Sequence, residues 1–368
     1  MSVTLEALEP VLSGLSGVMQ NPAYHGEGDA LAHTLLVLET LRGLPGFAAM
    51  SEPDQETMLL AAALHDIGKK TCTKLVDGQW TSPHHSSTGA SMARELLMAR
   101  FDLGGTPESM AQREAICSLI RWHMRPVHAL SSSNPGRMAR QMAAMGELAP
   151  RFSLERLAML AEADNRGRVC DDLQARLDDI ALFTQLAEEE GCLRRPFAYP
   201  DAASRYADLS GRNVLPGQPV YDDTWGSVIM MSGLPGTGKD TYISQHFPDL
   251  PMLSLDNLRR ELGVRPSDHQ GAVIQLAKER ARQHLRQHQP FVFNATNLSA
   301  MLRGQWITLF HQYGAAVSII YLETGWAERE RRNASRPERV PDAVIDKMLR
   351  TLTPPVLTEA EEVRWVCV

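Results

Sequence analysis

The sequence predicts a multidomain chain, an all-α helical bundle followed by an α/β domain built on a parallel sheet. Three observations carry this. The 368 residues exceed what one core usually fills. Apolar residues recur at helical spacing through the first half, whereas beyond residue 226 short apolar runs alternate with amphipathic stretches. Between the two, "RRPFAYPDAASRYADLSGRNVLPGQPVYDDTW" holds scattered prolines and glycines and no sustained period. The expected division is 1–194, a linker over 195–225, and 226–368.

Individual elements follow from local signals. In "SEPDQETMLLAAALHDIGKK", Ser51 is the expected N-cap, Pro53 sits in the first turn and the apolar run stops at Gly68. "TPESMAQREAICSLIRWH" opens likewise on Thr106 and Pro107. In the second half "SVIMMSG", "PMLSLD", "PFVFNAT" and "AAVSIIYLET" read as strands with helices between them, and two more helices follow the last.

Bulk properties narrow the function. The net charge of -7 argues against a surface coated for duplex nucleic acid and confines any polynucleotide contact to a groove. No apolar run approaches the roughly 20 residues that cross a bilayer, and "MSVTLEALEP" lacks the blocks of a signal peptide. A cytoplasmic protein without membrane partners is expected. The five cysteines are scattered, with no C-x-x-C pair, and read as reduced thiols.

"GLPGTGK", from Gly233 to Lys239, has the G-x-x-x-x-G-K spacing of a phosphate-binding loop, set between a predicted strand and a predicted helix. Gly233, Gly236, Thr237 and Gly238 would let backbone N–H groups face phosphate oxygens, with Lys239 on the outer phosphates. ATP or another nucleoside triphosphate with Mg2+ is the implied cofactor. The next residue is Asp240 where such loops carry a hydroxyl, so Asp240 and Thr241 are joint candidates for the metal.

Downstream, Asp256 ends the second strand, with Arg259 three residues on and so on the same face. The carboxylate could accept a hydroxyl proton while the arginine holds a neighbouring phosphate. Asn294, Thr296 and Asn297 fall at the end of the third strand, followed by Arg303, where open α/β sheets bind ligands. "ERERRNASRPERVP" could form a lid whose Arg332 and Arg336 neutralise a transferring phosphoryl group. This order of motifs over 226–355 resembles the polynucleotide 5′-kinase family. The resemblance implies that Asp256 is the general base for a 5′-hydroxyl, that Arg259 holds the adjacent phosphate and that the lid arginines stabilise the transition state.

The first half carries a second constellation: His33, His65–Asp66, His85, His123 and Asp164. On helical registers His33 shares a face with Leu36 and Val37, His123 with Ile116, Leu119 and Ile120, and Asp164 with Leu157 and Ala161. Polar groups on apolar stripes need a partner, and a metal supplies one. Imidazole and carboxylate without thiolate suit a divalent transition ion such as Mn2+, Ni2+, Co2+ or Zn2+.

The segments "YHGEGDALAHT", "LHDIGK", "SPHHSSTGA", "LIRWH" and "AEADNRGR" resemble the HD superfamily of metal-dependent phosphohydrolases, in particular the HD domains of bacterial tRNA nucleotidyltransferases. The resemblance implies two ions bridged by Asp66, with His33, His65 and Asp164 on one and His85 and His123 on the other, and Lys69 steadying a phosphate oxygen. His84 could stand in for His85; His25 and His128 are unassigned.

Taken along its whole length the chain resembles the bacterial HD-polynucleotide kinase end-healing proteins. That resemblance implies a bifunctional enzyme: a kinase that phosphorylates 5′-hydroxyl RNA or DNA ends, and a phosphohydrolase that clears 2′,3′-cyclic phosphate or 2′/3′-phosphate ends, with a ligase acting downstream. Two alternatives stay open, a small-molecule kinase coupled to an HD nucleotidase and an ATP-gated regulatory HD protein.

Overall fold

The computed structural model describes residues 3–336 and 338–368. They form two compact units, one running to Leu103 and resuming over Glu108–Phe197, the other combining Gly104–Pro107 with Ala198–Val368.

The first unit is a helical bundle whose main members are Ala30–Gly43, Glu52–Leu64, His85–Ala99, Pro107–Trp122, Leu154–Arg166 and Leu173–Glu189. Its core includes Leu60, Leu64, Leu97, Ile116, Leu119, Ile120, Leu157 and Leu160, none more than 1% exposed. Ser51 caps the second of these helices by position, and Pro53 lies in its first turn. One element departs from the all-helical expectation. Strands β1 (Lys74–Val76) and β2 (Gln79–Thr81) pair antiparallel around Asp77–Gly78. Both turn residues have positive φ, +50° and +77°, so the Asp-Gly dipeptide makes the tight turn whose backbone twist suits a hairpin.

A buried ion cluster crosses this bundle. Arg94 forks onto Glu114, Nε to Oε1 at 2.8 Å and Nη2 to Oε2 at 2.7 Å, and Arg113 Nε donates to Oε1 at 2.8 Å. Burial pushes the Glu114 carboxyl up, but the two guanidiniums outweigh it and hold it at about 2. A depressed carboxylate stabilises the fold above its unfolded pKa and loses that contribution as pH falls from about 4.5 toward 2. Glu114→Gln is expected to cost about 3–5 kcal/mol at neutral pH, because it removes the carboxylate to which both buried guanidiniums donate. It should also flatten the acid limb of the stability curve. Urea unfolding of both proteins from pH 7 to pH 3 measures the two effects together.

The second unit is a five-stranded sheet in the order β4-β5-β3-β6-β7 with every neighbouring pair parallel. Its strands are β3 (Ser227–Ser232), β4 (Met252–Ser254), β5 (Val292–Asn294), β6 (Ala316–Glu323) and β7 (Glu362–Cys367). The first four are those expected; β7 is not, since "EVRWVC" is short and carries charge at alternate positions. It pairs with β6 from Ser318↔Glu362 to Glu323↔Cys367 and forms an edge, where a polar face is tolerated. One layer of the core packs Ile229, Met231, Val292, Ile320 and Leu322 against Ile243 of the helix Lys239–His246. Of the segment 195–225, the part from Ala198 onward, with the helix Ala202–Leu209, belongs to this unit, where Arg205 Nη2 donates to the Glu361 carbonyl. β3 is central: β4 and β5 lie to one side and β6 and β7 to the other. In an open α/β sheet such a reversal opens a crevice at the carboxyl ends of the strands. Among the described residues no helix is long and apolar enough to cross a membrane.

Candidate active sites

In the first unit five segments deliver one buried cluster. Asp29 caps the helix Ala30–Gly43 through Ala32 N–H, which places His33 on its second turn, facing inward. Of the two face-mates expected for His33, Val37 is fully buried but Leu36 is 37% exposed. The inward stripe runs instead through Ala30, His33, Val37 and Leu41. His65 terminates the helix Glu52–Leu64, Asp66 follows it, and Asp164 lies on Leu154–Arg166. The registers expected for His123 and Asp164 hold, with Ile116, Leu119, Ile120, Leu157 and Ala161 all wholly buried. Gly68 is needed here: a Cβ would fall 2.1 Å from the His85 carbonyl oxygen and 2.7 Å from the Gly89 nitrogen. Any side chain there would drive the His85 helix away from Asp66.

Three of the four histidines are locked alike. His65, His85 and His123 each donate Nδ1–H to the carbonyl three residues back, Ala62, Ser82 and Ile120, at 2.7, 2.8 and 2.7 Å. A carbonyl only accepts, so the proton sits on Nδ1 and the Nε2 lone pair is left for a ligand. Asp66 stands between the rings: Oδ2 is 3.2 Å from His65 Nε2 and 3.7 Å from His33 Nε2, and Oδ1 is 3.4 Å from His85 Nε2. Asp164 Oδ1 lies 2.9 Å from His33 Nε2 and 3.9 Å from His65 Nε2. His85 therefore reaches Asp66, whereas His84 is exposed, with φ +60° ahead of the helix. His128 is also exposed.

Donor chemistry in this cluster fits metal. Ligand atoms of His33, His65 and Asp66, and of Asp66, His85 and His123, each gather within 4.8 Å, so two triads share Asp66. Both oxygens of Asp66 and Nε2 of His65 are buried without a regular hydrogen bond, which is the kind of group a cation satisfies. Lys69 Nζ lies 2.7 Å from Asp66 Oδ2 and donates to Gln20 Oε1 at 2.5 Å. Burial raises the Asp66 carboxyl, but His65, Lys69 and His85 together hold it well below the carboxylate range. Burial also raises that of Asp164, and Arg168 and His33 bring it well below. His123, pushed down to about 3 mainly by burial and then by His65, is a neutral imidazole at physiological pH.

In the second unit the loop after β3 is shaped by its glycines. Gly236 has φ +89°, and a Cβ there would meet the Arg329 carbonyl at 2.9 Å, so the lid helix Trp326–Ala334 packs directly on the loop. Lys239 opens the next helix and folds back, donating Nζ to the carbonyls of Gly233 at 2.8 Å and Leu234 at 2.9 Å. Burial pulls its ammonium down to about 8, with Arg336 acting in the same direction and Asp240 and Asp256 opposing. Thr237 is buried and its hydroxyl donates to the Leu234 carbonyl. Asp240 Oδ1 accepts from Asn294 Nδ2 at 2.6 Å, which fixes that carboxylate beside β5; Thr241 is exposed on the first turn.

The remaining predicted residues separate into two sets. Asp256 is exposed and 2.5 Å from Arg259 Nη1, while Arg259 Nε donates to Gln270 at 2.7 Å. Arg332 Nη1 would lie 3.2 Å from a Cβ on Gly238, and Arg332 is paired with Glu328. Arg336 is exposed, and Pro337 of the same segment lies outside the described residues. Arg303, by contrast, does not reach the strand edge. Fully buried, it forks onto Glu359 at 2.7 and 2.8 Å and donates to the Asn297 carbonyl at 2.9 Å. Asn297 is buried too, at φ +44°, its Nδ2 bound to the Met231 carbonyl, and the Thr296 carbonyl accepts from Gly233 N–H. Arg303, Asn297 and the Thr296 backbone thus brace the loop from below.

Residues 30–166 match the family described as HD domain, and residues 228–355 match one described as AAA domain. The chain carries an HD domain followed by a P-loop kinase-like domain. It is 31% identical over 167 residues to a Multifunctional CCA protein of Halorhodospira halophila (strain DSM 244 / SL1), covering 45% of this chain and 35% of that protein. It is 30% identical over 164 residues to the protein of that name from Thioalkalivibrio sulfidiphilus (strain HL-EbGR7), covering 45% and 36%. The chain spans about a third of the length of these curated relatives. Among solved structures, a candidate kinase from Chloroflexus aurantiacus J-10-fl is 19% identical with a TM-score of 0.32, covering 39% of this chain and 86% of that one.

Sequence reasoning missed two residues of the HD site. Arg168 Nη2 sits 2.5 Å from Asp164 Oδ2, and Glu27 lies beside His33. Both fall inside the quoted segments "AEADNRGR" and "YHGEGDALAHT", Arg168 one helical turn beyond Asp164.

Proposed function

We propose that this protein heals broken polynucleotide ends, its P-loop domain phosphorylating a 5′-hydroxyl and its HD domain removing a 2′,3′-cyclic or 2′/3′-terminal phosphate. The observation that carries this reading is the pairing in one chain of two opposite phosphate chemistries. A buried His/Asp cluster is suited to hydrolysis, and a phosphate loop stands beside an exposed Asp256–Arg259 pair suited to activating a hydroxyl. Broken RNA of the cyclic-phosphate type needs both chemistries before a ligase can act.

When bound, divalent ions supply a water activated for attack on phosphorus. In the HD domain His33, His65 and Asp164 would hold one ion and His85 and His123 the other, with Asp66 between them. Lys69 and Arg168 would offset negative charge on the substrate phosphate. In the kinase domain Asp256 takes the hydroxyl proton and Arg259 steadies the adjoining phosphate, while Lys239, Arg332 and Arg336 neutralise the transferring group. Asp240, fixed by Asn294, and Thr241 are the residues that would hold magnesium.

Incubation with ATP, Mg2+, Mn2+ and a short RNA bearing a 5′-hydroxyl and a 2′,3′-cyclic phosphate, followed by mass analysis of both ends, tests the reading. A gained 5′ phosphate and a lost 3′ block are expected. Unchanged ends together with turnover of free nucleosides or nucleotides would sink it in favour of a small-molecule kinase joined to a nucleotidase.

A further inference from the structure

His33 is the one predicted histidine ligand whose Nδ1 has no carbonyl behind it. In its place stands Glu27, outside the predicted ligand set. Glu27 Oε1 lies 2.9 Å from His33 Nδ1 and 2.7 Å from His25 Nδ1. Its Oε2 accepts the Val169 N–H at 2.9 Å, and Gly26 N–H returns a bond to the Val169 carbonyl at 2.9 Å. The short segment 25–27 is thereby zipped to Val169, the residue immediately after the Arg168 that grips Asp164.

We infer that Glu27 is a positioning residue for the ion held by His33 and Asp164: it fixes the proton of His33 on Nδ1 and makes Nε2 the stronger donor. The inference rests on the two-ion reading of the HD site. Its physical basis is general. An imidazole that binds metal through Nε2 must carry its proton on Nδ1, and an anionic acceptor at Nδ1 raises the basicity of the ring more than a neutral carbonyl does. In this structure the His33 ring hydrogen-bonds through Nε2 to Asp164 Oδ1 at 2.9 Å, and Nδ1 is buried without a regular hydrogen bond; with Nε2 given to an ion, the carboxylate 2.9 Å from Nδ1 is the acceptor placed to receive its N–H. Because the same carboxylate anchors Val169, it also sets the segment that orients Arg168 and, through it, Asp164. Two of the three ligands particular to one ion, His33 and Asp164, are thus steadied from one side chain, whereas His65, His85 and His123 rely on carbonyls of their own segments.

His25, Glu27 and His33 also bring ligand atoms within 4.8 Å of one another. A third ion there would require His33 to bind through both nitrogens and Glu27 to act as a ligand, so ion counting separates the two arrangements.

The test is equilibrium dialysis of the full-length protein against chelator-buffered Co2+, with ions per chain counted by elemental analysis and visible absorption recorded. Wild type is expected to take up two ions. Glu27→Gln, which is isosteric and can still accept from Val169, should hold one ion at wild-type affinity and the other roughly 10–100-fold more weakly, with one set of Co2+ bands lost and metal-free thermal unfolding unchanged. Glu27→Asp, which keeps the charge but draws it back, should fall between, and His25→Ala should retain both ions. If Glu27→Gln binds both ions like wild type, this inference alone is overturned. If wild type holds three ions and the variant two, Glu27 is a ligand and the positioning role is wrong. If wild type takes up no ion, the two-ion reading falls and the inference with it.

Discussion

Asp66→Asn is expected to lower hydrolysis of a cyclic or terminal phosphate by on the order of 10³-fold or more, and to lower the affinity for both ions rather than one. The reason lies in the division of its oxygens. Oδ2 faces His65 and His33, and Oδ1 faces His85, so a single carboxylate completes both triads. His85→Ala should weaken only one ion, and a comparison of metal content between the two variants checks the bridging role without reference to turnover. The substitution also leaves the buried Lys69 ammonium with Gln20 as its neutral partner, at a cost of about 3–5 kcal/mol in the metal-free protein. Lys69→Met in the same background should recover part of that loss, because removing both ends of a buried pair is far less costly than removing one. Kinase activity of the same preparations provides an internal control for folding of the second unit.

Much of the HD site was legible because its ligands sit on stripes that the core defines. His123 and Asp164 interrupt runs of wholly buried Ile, Leu and Ala at helical spacing, and a polar group in such a place must have a partner. His85 stood in the expected ligand set with His84 as its stand-in; adjacent residues differ only in which way the turn releases them, and with φ +60° at His84 it is His85 that lies beside Asp66. Glu27 and Arg168 were not legible. Their work is done on other side chains rather than on an expected ion, and nothing in their spacing separates them from ordinary surface charges. In the kinase half the parallel sheet followed from β-rich apolar runs, but β7 did not, since an edge strand that buries one face weakly has no strong period. Arg303 shows the limit of motif order: a position at the start of the helix that follows the strand puts an arginine near the site, yet only the partner, Glu359, tells that its charge is spent inside the fold.

Asp256→Asn is expected to reduce phosphoryl transfer to a 5′-hydroxyl by about 10²–10⁴-fold, the range for removing a general base, while leaving nucleotide binding and the HD activity intact. The geometry makes this separation clean. Asp256 is exposed, with 67% of its side chain in solvent, and it pairs with Arg259 on the same helix face. Loss of such a carboxylate should change stability by no more than about 0.5 kcal/mol, so a fall in rate cannot be attributed to unfolding. In the free protein the Asp256–Arg259 contact occupies both groups. On the proposed kinase reading, acceptor binding would redirect the arginine to phosphate and free the carboxylate for the hydroxyl. Arg259→Lys should accordingly raise KM for the polynucleotide more than it lowers kcat, since a lysine keeps the charge but loses the fork that also engages Gln270. Asp256→Asn should act on kcat with little change in KM. Steady-state kinetics against a 5′-hydroxyl oligonucleotide, with ATP affinity measured separately, distinguishes the two roles. A matching fall in ATP affinity for Asp256→Asn would instead assign the carboxylate to the nucleotide site.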